Sequence, residues 1–140
     1  MKKIAKSIPL LLGVFLFCVI TSVSAQELLK PDLKFTEACN DAIKINFDVV
    51  FPYSAHFDAN NNFSVWLSDA TGDFTNEVNL LANINTENSS PTFSFMRSIK
   101  LPPGTFGTAY RIRFKSDTPA PDGLESPPSD PFPAYYGIVR

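Results

Sequence analysis

Few residues in this sequence are equipped for chemistry. There is one histidine, His56, and there are two cysteines, Cys18 and Cys39, among 140 residues. A lone imidazole works as a general base only beside a nucleophile or an orienting carboxylate. No motif supplies such a partner for His56, so no catalytic site and no cofactor are expected. Asp69 and Asp73, which lie close together, with Asp58 and Asn60 should folding bring them near, offer the hard oxygen ligands that calcium prefers. Their spacing does not fit an EF-hand loop. Asp69 is expected instead to cap its own turn, Asp69-Ala70-Thr71-Gly72, with Gly72 supplying a positive φ. Trp66, Tyr53, Tyr135 and Tyr136 are the candidate ligand-binding residues. Exposed together, their flat rings could stack on sugars; with both faces of its strand covered, Trp66 would belong to the core. Arg111, Arg113 and Lys115 alternate along one strand face. They could meet an acidic partner, or serve only as a solvated face that resists edge pairing.

These residues need a scaffold, and its pattern is period two. From Ala42 to Phe51, Ile43, Ile45, Phe47 and Val49 alternate with Lys44, Asn46 and Asp48, as in a half-buried strand; Pro52 stops it. Phe63–Ser68 puts Phe63, Val65 and Leu67 on one face and Trp66 on the other. Weaker strands are expected over Val78–Ile84 and Thr92–Ile99, and a turn at Leu101-Pro102-Pro103-Gly104-Thr105. Ala109–Lys115 reads as one strand with Tyr110, Ile112 and Phe114 inward. Asp117–Pro133 reads as a long Pro/Ser loop, and Ala134–Val139 as a last strand. No window has helical periodicity. Short strands separated by turn signals predict an all-β fold: an Ig-like or fibronectin-type antiparallel β-sandwich of about seven strands.

The first residues have the layout of an export signal. Lys2, Lys3 and Lys6 precede an apolar run from Ile8 to Ile20, and Ser22-Val23-Ser24-Ala25 offers small residues for cleavage between Ala25 and Gln26. The run falls short of the roughly 20 apolar residues of a membrane span. Lipidation at Cys18 is disfavoured because Phe17 stands where a small residue is wanted. The expected organisation is a signal peptide over 1–25, an extended lead-in over 26–40 and a β-sandwich over 41–140 that continues further. Discounting the leader's three lysines leaves 9 cations against 14 carboxylates, net −5. That balance argues against nucleic acid or an anionic membrane surface as partner. Cys39 would then be the sole thiol, so no disulfide framework is expected. It would be a buried small hydrophobe or bond to a partner.

Three phrases carry a resemblance. Phe63-Ser64-Val65-Trp66-Leu67-Ser68-Asp69-Ala70-Thr71-Gly72-Asp73-Phe74, then Gly107 to Pro119 with its Tyr110-Arg111-Ile112-Arg113-Phe114-Lys115-Ser116-Asp117-Thr118-Pro119 run, then Ser126 to Tyr136 resemble N-terminal β-sandwich modules of bacterial surface proteins exported by type IX secretion. That group includes gliding-motility-associated proteins with a C-terminal sorting domain. The resemblance implies an Ig-like module at the outer cell surface or outside the cell, with the periplasm as alternative. It implies a non-catalytic structural or interaction role in gliding motility or adhesion, with other protein domains, envelope proteins or surface glycans as partners. Carbohydrate binding through exposed aromatics is the alternative. Sandwiches of this kind pin a loop with a tyrosine hydroxyl; Tyr110 is the residue expected to do so.

Overall fold

A computed structural model describes residues 25–39, 46–119 and 122–135. Among these the chain is all-β. Its strands are β1 (Asp32–Leu33), β2 (Ala38–Cys39), β3 (Asn46–Pro52), β4 (Phe63–Leu67), β5 (Val78–Ile84), β6 (Ser94–Lys100), β7 (Gly107–Tyr110), β8 (Ile112–Ser116), β9 (Leu124–Glu125) and β10 (Phe132–Tyr135). They form three sheets, in the orders β1-β3-β6, β2-β10-β7 and β5-β4-β8-β9. All pairings are antiparallel except β2 with β10. The predicted leader, the stretch 42–45 of the first predicted strand, and Tyr136 with the rest of the last one lie outside the described residues.

Alternation builds the core as the pattern requires. Phe47, Val49 and Phe51 of β3 point inward while Asn46 and Asp48 are exposed. β3 pairs in unbroken register with β6, from Asn46↔Lys100 to Pro52↔Ser94. Phe63, Val65 and Leu67 of β4 and Ile112 and Phe114 of β8 face them. The two layers meet through rings: Phe51 lies 5.3 Å from Phe114, and Phe63 lies 5.2 Å from Phe95. Each such buried side chain contributes about 1.5–3 kcal/mol of hydrophobic stabilisation.

Three segments differ from the sequence expectation. The lead-in is part of the sheets: Leu28 is buried and bridges Tyr53, β1 pairs with β3, and β2 pairs with β10. The single strand predicted over Ala109–Lys115 is two strands in different sheets. The chain changes sheet at Arg111, whose N–H donates to Ser68 Oγ (2.8 Å) and whose carbonyl accepts from Ser68 N–H (3.0 Å). Period two runs smoothly through this break, because a change of hydrogen-bonding partner leaves the alternation of side chains intact.

The Pro/Ser loop also does more than connect. It contains β9, and its serines line the edge of β8. Ser126 Oγ accepts from Phe114 N–H (3.0 Å) and Ser129 Oγ from Ile112 N–H (2.9 Å). The backbone N–H groups of the same serines donate to the carbonyls of Phe114 and Ile112. Buried backbone groups are thereby satisfied next to Pro127 and Pro128, which have no N–H to offer. Replacing Ser129 with alanine strands the buried Ile112 N–H, which should cost about 1–3 kcal/mol. The urea midpoint should fall at unchanged m-value; an unchanged midpoint would show that water replaces the hydroxyl. Gly123 makes the turn into β9 possible: φ is +64°, and a Cβ there would lie 2.0 Å from Ser116 O.

Candidate functional site

The Asp69–Gly72 turn is built as read from sequence. Gly72 has φ +88° and its N–H donates to Asp69 O (3.1 Å). Asp69 Oδ1 accepts from Thr71 N–H (2.8 Å), Thr71 Oγ1 (2.7 Å) and Asp73 N–H (3.0 Å). Asp73 Oδ1 accepts from the N–H and hydroxyl of Thr75. The Thr71 hydroxyl and the surrounding N–H groups hold the Asp69 carboxyl below its ordinary range, and those of Thr75 do the same for Asp73. The weak calcium candidates thus spend these oxygens on their own turns. Among the described residues no three His, Cys, Asp or Glu side chains come together to hold a metal ion.

Among the described residues, which do not include Tyr136, the aromatic platform does not assemble. Tyr53 is core: it is 2% exposed, stacks on Phe63, donates its hydroxyl to Glu87 O (2.6 Å) and accepts from Ser90 N–H (3.0 Å). It is the tyrosine that pins a loop most firmly; Tyr110 reaches Phe106 O at 3.4 Å. Tyr135 lies in another sheet, edge-on to the exposed Phe106. Trp66 is neither core nor open platform. It is half-buried on the outer face of β4, donates to Ser64 Oγ (2.8 Å), and lies under the Lys115 ammonium, 4.6 Å from the ring centre. His56 stacks on Phe93 at 4.8 Å. The Cys39 thiol is free and half-buried. Asn62-Phe63-Ser64 and Asn88-Ser89-Ser90 match the short glycosylation sequon, but Asn88 is buried with its amide on Asn61 O (2.8 Å), and the Asn62 amide donates to Asp117 Oδ2 (2.8 Å).

Arg113 and Lys115 are more than a solvated face. Glu77 accepts from Arg113 Nε (3.1 Å) and Nη2 (2.6 Å) and from Lys115 Nζ. Glu125 accepts from Arg113 Nη1 (2.7 Å) and Lys115 Nζ (3.2 Å). The Arg113 guanidinium also lies 4.4 Å above the Phe74 ring. Burial alone would raise the Glu77 pKa, but the hydrogen bonds from Lys115 and Arg113 outweigh it and hold the group low. A carboxyl depressed in the fold stabilises above its unfolded pKa of about 4.3 and loses that contribution as pH falls through the folded value. The stability gap between wild type and Glu77→Gln should therefore shrink as pH drops below about 4. Urea unfolding at a series of pH values checks this; a constant gap would remove Glu77 as its source. Arg111 stands apart, its guanidinium on Ser129 O (2.9 Å).

A cleft of about 520 Å³ opens where the lead-in meets the segment before β10. Lys30, Asp32, Leu33, Phe35, Asp130 and Pro131 help to line it. Phe35 forms its apolar wall, backed by Phe47 and Phe132 at 5.1 Å each. Lys30 Nζ spans the rim to Asp130 Oδ1 (2.7 Å), across 100 residues of sequence. No motif in the sequence marks these residues, since the two walls are joined only by folding.

No family model matches the chain, and no curated protein matches it. Among solved structures it is similar to a superoxide reductase (neelaredoxin) from Ignicoccus hospitalis, at 14% identity and a TM-score of 0.47, over 78% of this chain and 82% of that one. The expectation of a non-catalytic structural or interaction module, with carbohydrate binding as alternative, is corrected on this finding: the similar structure is named for an enzyme. The dispersal of Trp66, Tyr53 and Tyr135 separately removes the geometry that sugar stacking needed. The likeness assigns no chemistry to this chain.

Proposed function

We propose that the chain binds a small amine with an apolar body in the cleft between Lys30 and Asp130. The observation that carries this is an exposed carboxylate, Asp130, already holding an ammonium at the edge of an apolar wall. Asp130 holds the Lys30 ammonium and Asp32 that of Lys34, beside an apolar wall made by Phe35 and Leu33. A cleft of a few hundred Å³ with an apolar wall and a few convergent polar groups is the usual form of a small-ligand site. The Asp130 side chain is 75% exposed, so a ligand ammonium can replace Lys30 on it without dismantling the fold. The Phe35 ring would take the apolar body.

Hexylamine and hexanoate, matched in length and opposite in charge, test this. Hexylamine should shift the backbone amide resonances of Leu33, Phe35 and Thr36, and hexanoate should not. Asp130→Asn should weaken hexylamine about fivefold, the worth of an exposed charge pair near 1 kcal/mol. Lys30→Gln should strengthen it by removing the internal competitor. Equal shifts with both probes, or none with either, would end the proposal. The leader residues Lys2, Lys3 and Lys6 with the Ala25 site support the further reading that this cleft works outside the cytoplasm. N-terminal sequencing of the processed protein should begin at Gln26.

A further inference from the structure

We infer that the outer face of β8 is a second binding site, for an oxyanion of the carboxylate or phosphate class, with Glu125 as its built-in occupant. The inference is independent of the cleft. Arg113 and Lys115 are two residues apart on one strand and converge on the same two carboxylates. Those carboxylates are not equivalent. Glu77 is 17% exposed and takes hydrogen bonds from both cations; Glu125 is 50% exposed. Glu125 also sits on a two-residue edge strand, in register with β8 at Lys115↔Glu125 and Ser116↔Leu124, so its side chain can leave the cations while its backbone stays in place.

Glu77 therefore belongs to the frame, and Glu125 fills a position that another anion could take. Its two oxygens rest on Arg113 Nη1 and Lys115 Nζ. That is the two-point geometry in which a guanidinium and an ammonium receive a carboxylate or phosphate edge. The cations are held ready for it. Phe74 lies beneath the guanidinium and Trp66 beneath the ammonium, and the cation side chains are only 19% and 22% exposed. Preorganised groups of this kind lose little freedom on binding. With Glu125 displaced, Arg113, Lys115 and Glu77 carry a net charge of +1 that the incoming anion neutralises.

Trp66 is the sole tryptophan, so its fluorescence reports on the ammonium above it. Inorganic phosphate and acetate, titrated at constant ionic strength against chloride, should each change Trp66 emission saturably. They should also shift the Arg113 Nε–H resonance in the wild type. Glu125→Gln should bind both about tenfold more tightly, and adding Arg113→Gln to that variant should abolish the response. A linear, non-saturating response in wild type and Glu125→Gln alike would overturn the site. So would a saturable response that survives loss of Arg113. If Glu125→Gln does not fold, the wild-type Arg113 Nε–H titration decides alone: saturation supports the site, and its absence overturns it.

Discussion

Replacing Phe63 with alanine should cost about 3–5 kcal/mol, the range for deleting a large aromatic from a packed interior. Phe63 is fully buried and central to the aromatic cluster. Its ring lies 5.8 Å from Tyr53, 5.1 Å from Phe57, 5.2 Å from Phe95 and 6.0 Å from Phe114. These partners come from both layers and from the loop after β3, and Phe95 and Phe114 cannot collapse into the vacated space without leaving their sheets. A domain of this size is stable by about 5–15 kcal/mol, and the loss would consume a large part of that. Urea unfolding should show a strongly lowered midpoint, while Phe63→Leu, which keeps most of the volume, should lose much less. Equal losses for the two variants would mean that the lost ring contacts, and not the vacated volume, set the cost.

Asn61→Ala should be the second most damaging change, at about 2–4 kcal/mol, given about 1–3 kcal/mol for each buried polar group left alone. Asn61 is fully buried. Its Nδ2 donates to Asn88 Oδ1 (2.8 Å), and its Oδ1 accepts from Thr118 N–H (3.2 Å) and Thr118 Oγ1 (2.9 Å). Asn88 returns a bond from its own Nδ2 to Asn61 O (2.8 Å). One side chain thus ties the loop before β4, the loop after β5 and the segment after β8. Because the Asn88 amide is held by both the side chain and the backbone carbonyl of Asn61, Asn61→Ala and Asn88→Ala should be non-additive, with a coupling of about 1 kcal/mol or more for residues in one network. Strict additivity in a double-mutant cycle would show that the network does not act as a unit.

Both predictions rest on residues whose roles differ in how far they can be read locally. Phe63 is legible: it alternates with Ser64 and stands in step with Val65 and Leu67, and a strand so patterned must bury that face. Asn61 is not, because within Asn60-Asn61-Asn62 nothing local separates a turn residue from a buried hub. The candidate sites divide the same way. The alternation of Arg113 and Lys115 marks them as one face, but Glu77 and Glu125, which bind them, come from elsewhere in the chain. The walls of the cleft are held together by Lys30 and Asp130, which no local pattern could join.

Local patterning dictates that this is a β protein, where its main turns fall, and which side of β3, β4 and β8 faces inward. Those features follow from the two-residue repeat of a strand and the backbone preferences of Gly, Pro and Asp, all of which act over a few residues. Long-range packing was needed to make the strand after Gly107 change sheet at Arg111, to bury Tyr53 in the core and to set Trp66 under Lys115. It also brings Ser126 and Ser129 to the edge of β8. Alternation tells a side chain which face it shares, but what covers that face depends on segments tens of residues away, and only their packing supplies the partner.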